Sequence, residues 1–268
     1  MKHVKTALSI AGSDSGGGAG IQADLKTFTA LGVHGATAIT AITVQNTLGV
    51  RAVYPLAGSV VAEQIDAVLD DFDVGAVKIG MLATLEIVAA VAHALRRREP
   101  RPFVVYDPVM TASSGDALAR AGLVEALADL LPLVDCLTPN LMEAAALLGE
   151  PQAANESDML RQGRALIAQG SRAVLMKGGH LDGLESVDWL VVPGDSHRFA
   201  APRMASHNLH GTGCTLSSAL AAHITLGVDL VHAARRAKEF VTLAIDHGSL
   251  FRLGAGPGPV LPTMLRRV

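Results

Sequence analysis

Short runs of apolar residues alternate with longer stretches of helical period along most of this chain. The runs are continuous and rich in Val, Ile and Leu, which is typical of strands buried on both faces of a parallel sheet. We predict strands at Val4–Ile10, Ala36–Val44, Ala76–Ile79, Phe103–Tyr106, Asp135–Leu137 and Ala173–Met176. We predict helices at Ile21–Leu31, Val60–Asp71, Leu85–Arg98, Leu118–Leu131 and Met159–Gln169. The alternation predicts an α/β fold in which helices cover both faces of a predominantly parallel sheet.

Two segments break this rhythm and predict antiparallel strands. Arg51–Leu56 follows the turn Asn46–Gly49 with no room for a helix, which indicates a hairpin or an edge strand. Ser186–Val192 and His197–Ala200 flank the turn Pro193–Ser196, which is a second hairpin signal.

The last part of the chain predicts two long helices, Thr212–Gly227 and Asp229–Gly248, and then an irregular tail at Gly254–Pro262. We find no internal repeat and no low-complexity linker. We therefore expect residues 1–268 to form one domain, and this length is sufficient to bury a large core without disulfides or metals.

Composition and charge restrict the class of function. The net charge is −3, from 22 basic and 25 acidic residues, so we expect no nucleic-acid partner. Mean hydropathy is +0.36, but charged residues interrupt every long apolar stretch, and we expect no membrane span. The two cysteines, Cys136 and Cys214, form no disulfide framework, and no signal peptide is visible at the N-terminus. We expect a cytoplasmic protein.

A glycine-rich loop at residues 12–20 follows the first predicted strand and opens a helix. Glycine lets backbone N–H groups approach a ligand closely. Residues 18–23 fit the dinucleotide fingerprint G-x-G-x-x-G/A, which requires an acidic residue about 20 positions later. No Asp or Glu lies between Asp24 and Glu63, and the loop has no Walker A spacing. It is either a tight turn or a ligand loop, and Asp14 and Asp24 favour a ligand.

A second glycine motif, residues 210–215, immediately precedes an apolar run of helical period. A helix N-terminus offers unpaired N–H groups and a positive dipole end, which suit a phosphate or a developing oxyanion. Cys214 falls in the first turn, where the thiol pKa, ordinarily about 8.5, is often lowered. We expect it to act as a base toward a substrate hydroxyl or as a hydrogen-bond partner, the alternative being a buried structural cysteine.

Polar residues also follow three other predicted strands. Lys177 stands before two glycines, where a cation suits a phosphate chain; a solvated loop lysine is the alternative. Asn140 and Glu143 have the spacing of a helix capping box, but Glu143 could instead orient Mg²⁺ or its waters. Asp107 ends a strand, where it would act on a metal or cap a turn.

Two further candidates point to a small-molecule pocket. Gln45 closes a long uncharged strand, and its amide can recognise a heterocycle through a paired donor and acceptor. Met81 would line an apolar pocket floor, although core packing is its commoner role.

These motifs occur in an order that resembles the ribokinase-like kinases, and more closely the hydroxymethylpyrimidine/phosphomethylpyrimidine kinases of thiamine biosynthesis. The resemblance spans residues 7 to about 226. Its motifs are residues 11–27, 44–47, 78–81, 107–110, 137–140, 177–181 and 210–215. Gly16, Val44 and Met142 depart from the residues that are more frequent in the family.

The resemblance implies a ribokinase-like three-layer α/β/α fold and stepwise phosphorylation of the pyrimidine, first at its hydroxymethyl group and then at the monophosphate. It implies ATP and Mg²⁺ as cofactors and a homodimer. The implied pyrimidine contacts are Gly12, Asp24, Val44, Gln45, Gly80, Met81 and His210. The implied phosphate contacts are Lys177, Asn140 and Thr212, and the implied metal-binding residues are Asp107 and Glu143. Gly211, Thr212 and Gly213 would form an anion hole, with Cys214 and Lys177 completing the catalytic group.

Three alternatives remain open from the sequence. A pyridoxine/pyridoxal kinase would carry very similar glycine motifs. A dinucleotide-dependent oxidoreductase would explain the fingerprint but lacks the ribose-binding acid. A non-catalytic vitamin-binding protein would have no use for Lys177, Glu143 and Cys214.

Overall fold

The computed structural model describes residues 4–110, 122–127 and 129–263. The strands are β1 (Thr6–Asp14), β2 (His34–Asn46), β3 (Gly49–Pro55), β4 (Val74–Ile79), β5 (Phe103–Tyr106), β6 (Cys136–Leu137), β7 (Val174–Lys177), β8 (Glu185–Val192) and β9 (Asp195–Pro202). The helices are α1 (Gly20–Ala30), α2 (Gly58–Asp71), α3 (Leu85–Arg96), α4 (Leu123–Leu127), α5 (Leu141–Leu148), α6 (Glu156–Ala168), α7 (Thr212–Thr225) and α8 (Leu230–Ser249).

The described strands form one sheet in the order β3-β2-β1-β4-β5-β6-β7-β8-β9. All neighbours from β2 to β7 pair in parallel. The two hairpins, β2–β3 and β8–β9, pair antiparallel, as predicted for the two breaks in rhythm. Strand β8 also pairs antiparallel with β7, which was not predicted. The predicted α/β class is therefore confirmed.

The predicted helix Leu118–Leu131 lies partly outside the described residues. Within them, Leu123–Leu127 is helical and Leu131–Leu133 forms a 3₁₀ turn. Helix α5 was not predicted as a separate element, because only its capping motif was recognised. It begins at Asn140 and ends at Gly149, whose φ of 64° is the left-handed conformation that favours glycine.

Two apolar clusters lie on opposite faces of the sheet. Successive strand residues alternate between them: Val104 and Val174 pack into one cluster, while Val105 and Leu175 pack into the other. Helices α2 to α6 cover the first face, and α1, α7 and α8 cover the second. Period-two alternation in a strand buried on both sides produces this three-layer α/β/α arrangement.

The parallel strands place their carboxyl ends at one edge of the sheet. The chain runs from β1 outward to β2 and then returns to the other side of β1 as β4, so the strand order reverses between β1 and β4. Open α/β sheets bind ligands in the crevice at such a point.

The N-terminus of α7 differs from those of α3, α5, α6 and α8, where the side chains of Thr84, Asn140, Asn155 and Asp229 accept a backbone hydrogen bond from the first turn. Gly211 is the N-cap of α7 and offers no side chain. No N-cap side chain therefore satisfies the donors of this first turn, of which the Thr212 N–H donates to Leu209 O at 3.3 Å.

Within the described residues, none of the helices combines the length and the hydrophobicity that crossing a membrane requires.

Candidate active site

A cavity of about 760 Å³ opens at the carboxyl ends of the parallel strands. This volume lies within the range typical of small-molecule sites. Most of the predicted site residues line it. They are Gly12, Gln45, Met81, Asp107, Asn140, Glu143, Lys177, His210, Gly211, Thr212, Gly213 and Cys214.

Helix α7 begins at the middle of this cavity, against the glycine loop that follows β1. Gly211 adopts a φ of 78°, and a Cβ built there would lie only 1.9 Å from the carbonyl oxygen of Gly18. Only glycine permits this backbone contact. A Cβ built on Gly213 would lie 3.1 Å from Lys177 Nζ, so the first turn of α7 also approaches the lysine.

Lys177 lies between two buried carboxylates. Its Nζ is 2.6 Å from Asp107 Oδ1 and 3.6 Å from Glu143 Oε2. Burial alone would lower the lysine pKa, but the two carboxylates outweigh burial and raise it. Lys177 is therefore a fixed positive charge at neutral pH.

Asn140 and Glu143 form the capping box that their spacing predicted. Asn140 Oδ1 accepts from the Glu143 N–H at 2.9 Å, and Glu143 Oε2 accepts from the Asn140 N–H at 2.7 Å. Glu143 also faces Lys177 in the cavity, so one side chain serves the helix terminus and the site. Burial raises the pKa of Glu143 to about 7, with Lys177 opposing the shift and Asp107 adding to it.

At the opposite end of the cavity, His210 and Gln45 lie side by side. His210 Nε2 is 3.2 Å from Gln45 Nε2 and 3.1 Å from Asp14 Oδ2. The Asp14 carboxylate also accepts from backbone N–H groups of the glycine loop, at Gly16 and Gly18. Burial would raise the pKa of Asp14, but these hydrogen bonds outweigh it and lower the pKa. An ionised Asp14 thus organises both the loop and His210.

The apolar floor of this end is formed by Met81 against Gly12. A Cβ built on Gly12 would lie 2.5 Å from Met81 Cε, so glycine at this position makes room for the thioether side chain. Met81 is 7% exposed and lines the cavity. It combines the pocket role and the core role that the sequence left as alternatives.

Three predicted pyrimidine contacts do not line the cavity. The Asp24 side chain has no exposed surface and is paired with Lys78 Nζ at 2.9 Å. Gly80 is buried beside Ala11, and Val44, 42% exposed, lies on an open part of β2. The prediction for Asp24 needs correction: the polar residue that reaches the cavity is its partner, Lys78.

The predicted lowering of the Cys214 pKa was also wrong. Desolvation raises the pKa of this thiol to about 11, and the positive charge of Lys78 only partly offsets it. Asp24 and Asp107 add to the rise. The group at neutral pH is the thiol. Cys136 has no exposed surface in β6, as the structural interpretation of that residue expected.

Sequence reasoning missed a polar group farther along the cavity wall. Lys238 Nζ lies 2.9 Å from Asp188 Oδ2 and donates to Ser186 Oγ at 3.0 Å. A signal was present, because Lys238 falls on the stripe of α8 that also carries buried Ala234 and Val241. A charge on a buried helical face requires a partner.

The sequence matches a protein-family model described as phosphomethylpyrimidine kinase over residues 14–261. The hydroxymethylpyrimidine/phosphomethylpyrimidine kinase of Rhizobium meliloti is 54% identical over 256 residues, which cover 95% of each chain. The Escherichia coli protein of that name is 50% identical over 261 residues, which cover 97% of each chain.

Solved structures share the architecture. The phosphomethylpyrimidine kinase from Clostridium difficile 630 has a TM-score of 0.78 and 43% identity, covering 90% of this chain and 99% of its own. The pyridoxal kinase from Staphylococcus aureus in complex with ADP has a TM-score of 0.90 and 33% identity, covering 100% of this chain and 96% of its own. These likenesses confirm the ribokinase-like fold.

Proposed function

This chain belongs to the phosphomethylpyrimidine kinase family and is a phosphotransferase, and we propose that it phosphorylates 4-amino-5-hydroxymethyl-2-methylpyrimidine twice in thiamine biosynthesis. ATP is the phosphoryl donor in both steps. The first transfer forms the monophosphate, and the second forms the diphosphate. A kinase is favoured over the oxidoreductase that the glycine fingerprint suggested, which lacked its ribose-binding acid.

The position of the α7 N-terminus is the observation that carries this proposal. It separates one end of the cavity, the pyrimidine end with Gln45, Met81 and His210, from the charged end with Lys177 and its carboxylates. Gly211 contacts the loop of the first end, and Gly213 approaches Lys177 at the second. A pyrimidine at the pyrimidine end and the ATP phosphates at the charged end would meet at the N-terminus of α7, the positive end of its dipole.

At the pyrimidine end, each residue supplies one part of the recognition. The Gln45 amide pairs with donor and acceptor atoms of the ring. Met81 contacts the ring as a polarizable apolar surface. His210, held by Asp14, presents its imidazole beside Gln45.

Transfer depends on stabilising the charge of the γ-phosphoryl group. The turn from Gly211 to Cys214 forms an anion hole at the start of α7, and Lys177 adds a fixed positive charge. Phosphoryl transfer passes through a loose transition state, in which positioning and electrostatics supply most of the rate. Asn140 lies beside Lys177 and lines the path of the phosphate chain.

Cys214 steers the hydroxyl group of the acceptor. Because its thiol is neutral at pH 7, Cys214 orients the hydroxyl by a hydrogen bond and does not act as the base. The hydroxyl proton leaves late, when the oxygen is bonding to phosphorus, and passes to an oxygen of the transferred phosphoryl group. The second acceptor is already a phosphate, which needs no strong base. We therefore assign Cys214 a larger role in the first transfer.

Asp107 and Glu143 fit a Mg²⁺ ion that arrives with ATP. Mg²⁺ prefers one or two carboxylates together with waters and substrate phosphates, and a dedicated all-protein cage is not needed. Both carboxylates are buried at the charged end, 1% and 5% exposed respectively. When bound, the ion would neutralise charge on the phosphate oxygens.

A pyridoxal kinase activity is the second candidate, supported by the TM-score of 0.90 to the Staphylococcus aureus enzyme. Both substrates are six-membered rings with a hydroxymethyl group. The higher identity to the pyrimidine kinases, 54% against 33%, favours the pyrimidine.

We also propose that residues 1–268 form a single domain that assembles as a homodimer in the cytoplasm, where ATP is available. Apolar side chains exposed on the β2–β3 hairpin support a second copy as the partner. They are Ile42, Val44, Leu48 and Tyr54. Light scattering after gel filtration measures the assembly, and a monomeric mass would contradict the dimer.

An ATP-turnover assay tests the function, with hydroxymethylpyrimidine and pyridoxine supplied separately and products weighed by mass spectrometry. Two successive phosphate additions to the pyrimidine support the proposal. A single addition to pyridoxine alone would establish the second candidate. Binding without turnover of either would contradict both.

A further inference from the structure

Arg203 follows β9 directly, and its guanidinium group gathers the carbonyl oxygens of one loop. This loop, residues 178–184, connects β7 to β8, and we call it the clamped loop; Glu185 is the first residue of β8. The guanidinium donates to Gly179 O at 2.6 Å, Gly183 O at 2.9 Å, Glu185 O at 3.1 Å and also to Leu181 O.

Four carbonyl oxygens that converge on one point repel one another unless a cation lies among them. Arginine is suited to this position, because its planar fork carries five N–H donors in fixed directions. Lysine has a single ammonium and cannot reach all four oxygens. The shape of the clamped loop therefore depends on this one side chain.

Backbone bonds hold the clamped loop at few points. Leu181 N–H donates to Gly178 O at 3.0 Å, and Arg203 N–H donates to Leu184 O at 2.8 Å. The side chain of Leu184 is 92% exposed and packs against little. Leu181 is half-buried against the apolar cluster of the first sheet face, which gives the loop one apolar anchor. This single contact does not fix the directions of the four carbonyl groups.

The clamped loop also forms part of the cavity wall. Gly179 and His180 line the cavity, two and three residues after Lys177, and Arg203 lines it as well. Since a trans peptide directs its carbonyl and N–H to opposite sides, the Gly179 carbonyl held by Arg203 turns the His180 N–H away from the guanidinium. Arg203 therefore determines which backbone groups of the clamped loop face the cavity.

We propose that Arg203 is a positioning residue for the nucleotide: it holds the clamped loop in the shape that binds ATP beside Lys177. The inference rests on the proposed function, because it takes the Lys177 end of the cavity as the ATP end. It concerns binding of the donor, and the pyrimidine end is independent of it.

The test compares Arg203→Ala and Arg203→Lys with a matched control, Arg198→Ala. Arg198 is on the same strand and pairs with the carboxylates of Glu156 and Glu185, outside the cavity lining. We expect both Arg203 variants to raise the KM for ATP about tenfold while the KM for the pyrimidine changes less than about twofold. Arg198→Ala should leave both constants near wild type.

Two further measurements do not require turnover. Calorimetry with ADP should show binding weakened about tenfold in both Arg203 variants and unchanged in Arg198→Ala. Limited chymotrypsin digestion should cut at Leu181 or Leu184 faster in the Arg203 variants, at an unchanged melting temperature.

ADP affinity within about twofold of wild type in the Arg203 variants would overturn the positioning role. So would an equal rise in both KM values, which indicates general loosening. If the wild-type chain binds ADP but phosphorylates no acceptor, the proposed function fails while the ADP result still decides the role of Arg203.

Discussion

Lys78 Nζ lies 2.9 Å from both carboxylate oxygens of Asp24, and neither side chain has any exposed surface. The Asp24 carboxylate also accepts from the hydroxyls of Ser9 at 2.5 Å and Ser218 at 2.6 Å. These contacts join β4, α1, β1 and α7. The pair thus fixes α7 to the two strands, β1 and β4, between which the strand order reverses.

Breaking this pair should destabilise the fold strongly. Asp24→Asn leaves the Lys78 ammonium buried without a counter-charge, and we expect a loss of about 3–5 kcal/mol in the free energy of unfolding. Lys78→Met should cost a similar amount. The double variant should be more stable than the sum of the two losses predicts, as measured by urea unfolding. Strictly additive losses would contradict the coupling.

Gly211→Ala should lower activity as well as stability, because the strain of an alanine at a positive φ is not its only effect. The new Cβ would meet the Gly18 carbonyl oxygen, so α7 and the glycine loop must separate. We expect kcat/KM to fall at least about 100-fold. Gly227→Ala is the control, because Gly227 has a φ of 85° with no atom within 4 Å of the built Cβ. It should lose only about 1–2 kcal/mol of stability and keep its activity. Equal activity in the two variants would be inconsistent with this geometry.

Lys177→Met should lower kcat about 10²–10³-fold, because the positive charge at the transferring phosphate is lost. The measurement is steady-state ATP turnover. Lys5→Met removes the same charge from an exposed position and serves as the control for net charge. If Lys177→Met raised the KM for ATP without lowering kcat, Lys177 would contribute to ATP binding but not to stabilisation of the transition state.

Alkylation of Cys214 should be slow at pH 8. A pKa of about 11 instead of 9.0 lowers the thiolate fraction about 100-fold at that pH. The rate with iodoacetamide, followed by peptide mass spectrometry, should still be rising at pH 10. A plateau below pH 9 would instead mean that the helix terminus outweighs burial.

Cys214→Ala should affect the two transfers unequally. We expect the first phosphorylation to slow about 100-fold and the second less than about tenfold, since the second acceptor is already anionic. Separate assays with the pyrimidine and its monophosphate measure the two rates. Cys136→Ala, in a strand away from the cavity, is the control; similar losses in both assays of Cys214→Ala would oppose the assignment.

The sequence was sufficient to predict the sheet, because strands buried on both faces carry continuous apolar runs. It also placed most of the cavity lining, since parallel strands bring residues such as Asp107 and Lys177 to one edge. Both hairpins followed from turn residues. These features depend on local pattern and on one topological rule.

What the sequence could not provide was the partner of each charge. Asp14 and His210 are 196 residues apart, and nothing in either motif indicates the other. Asp24 was mistaken for a ligand contact because its pairing with Lys78 is invisible before folding. The predicted direction of the Cys214 pKa shift was wrong for a similar reason. The position of a residue in a helix can be predicted from the local sequence, whereas its desolvation depends on the whole fold.

The uncapped start of α7 has a consequence for inhibition. In the proposed function both transfers take place at a single helix terminus, so they must occur in turn, with ADP leaving and a second ATP entering between them. A small oxyanion lodged among those backbone N–H groups would therefore block the two reactions together, even though their acceptors differ in size and charge.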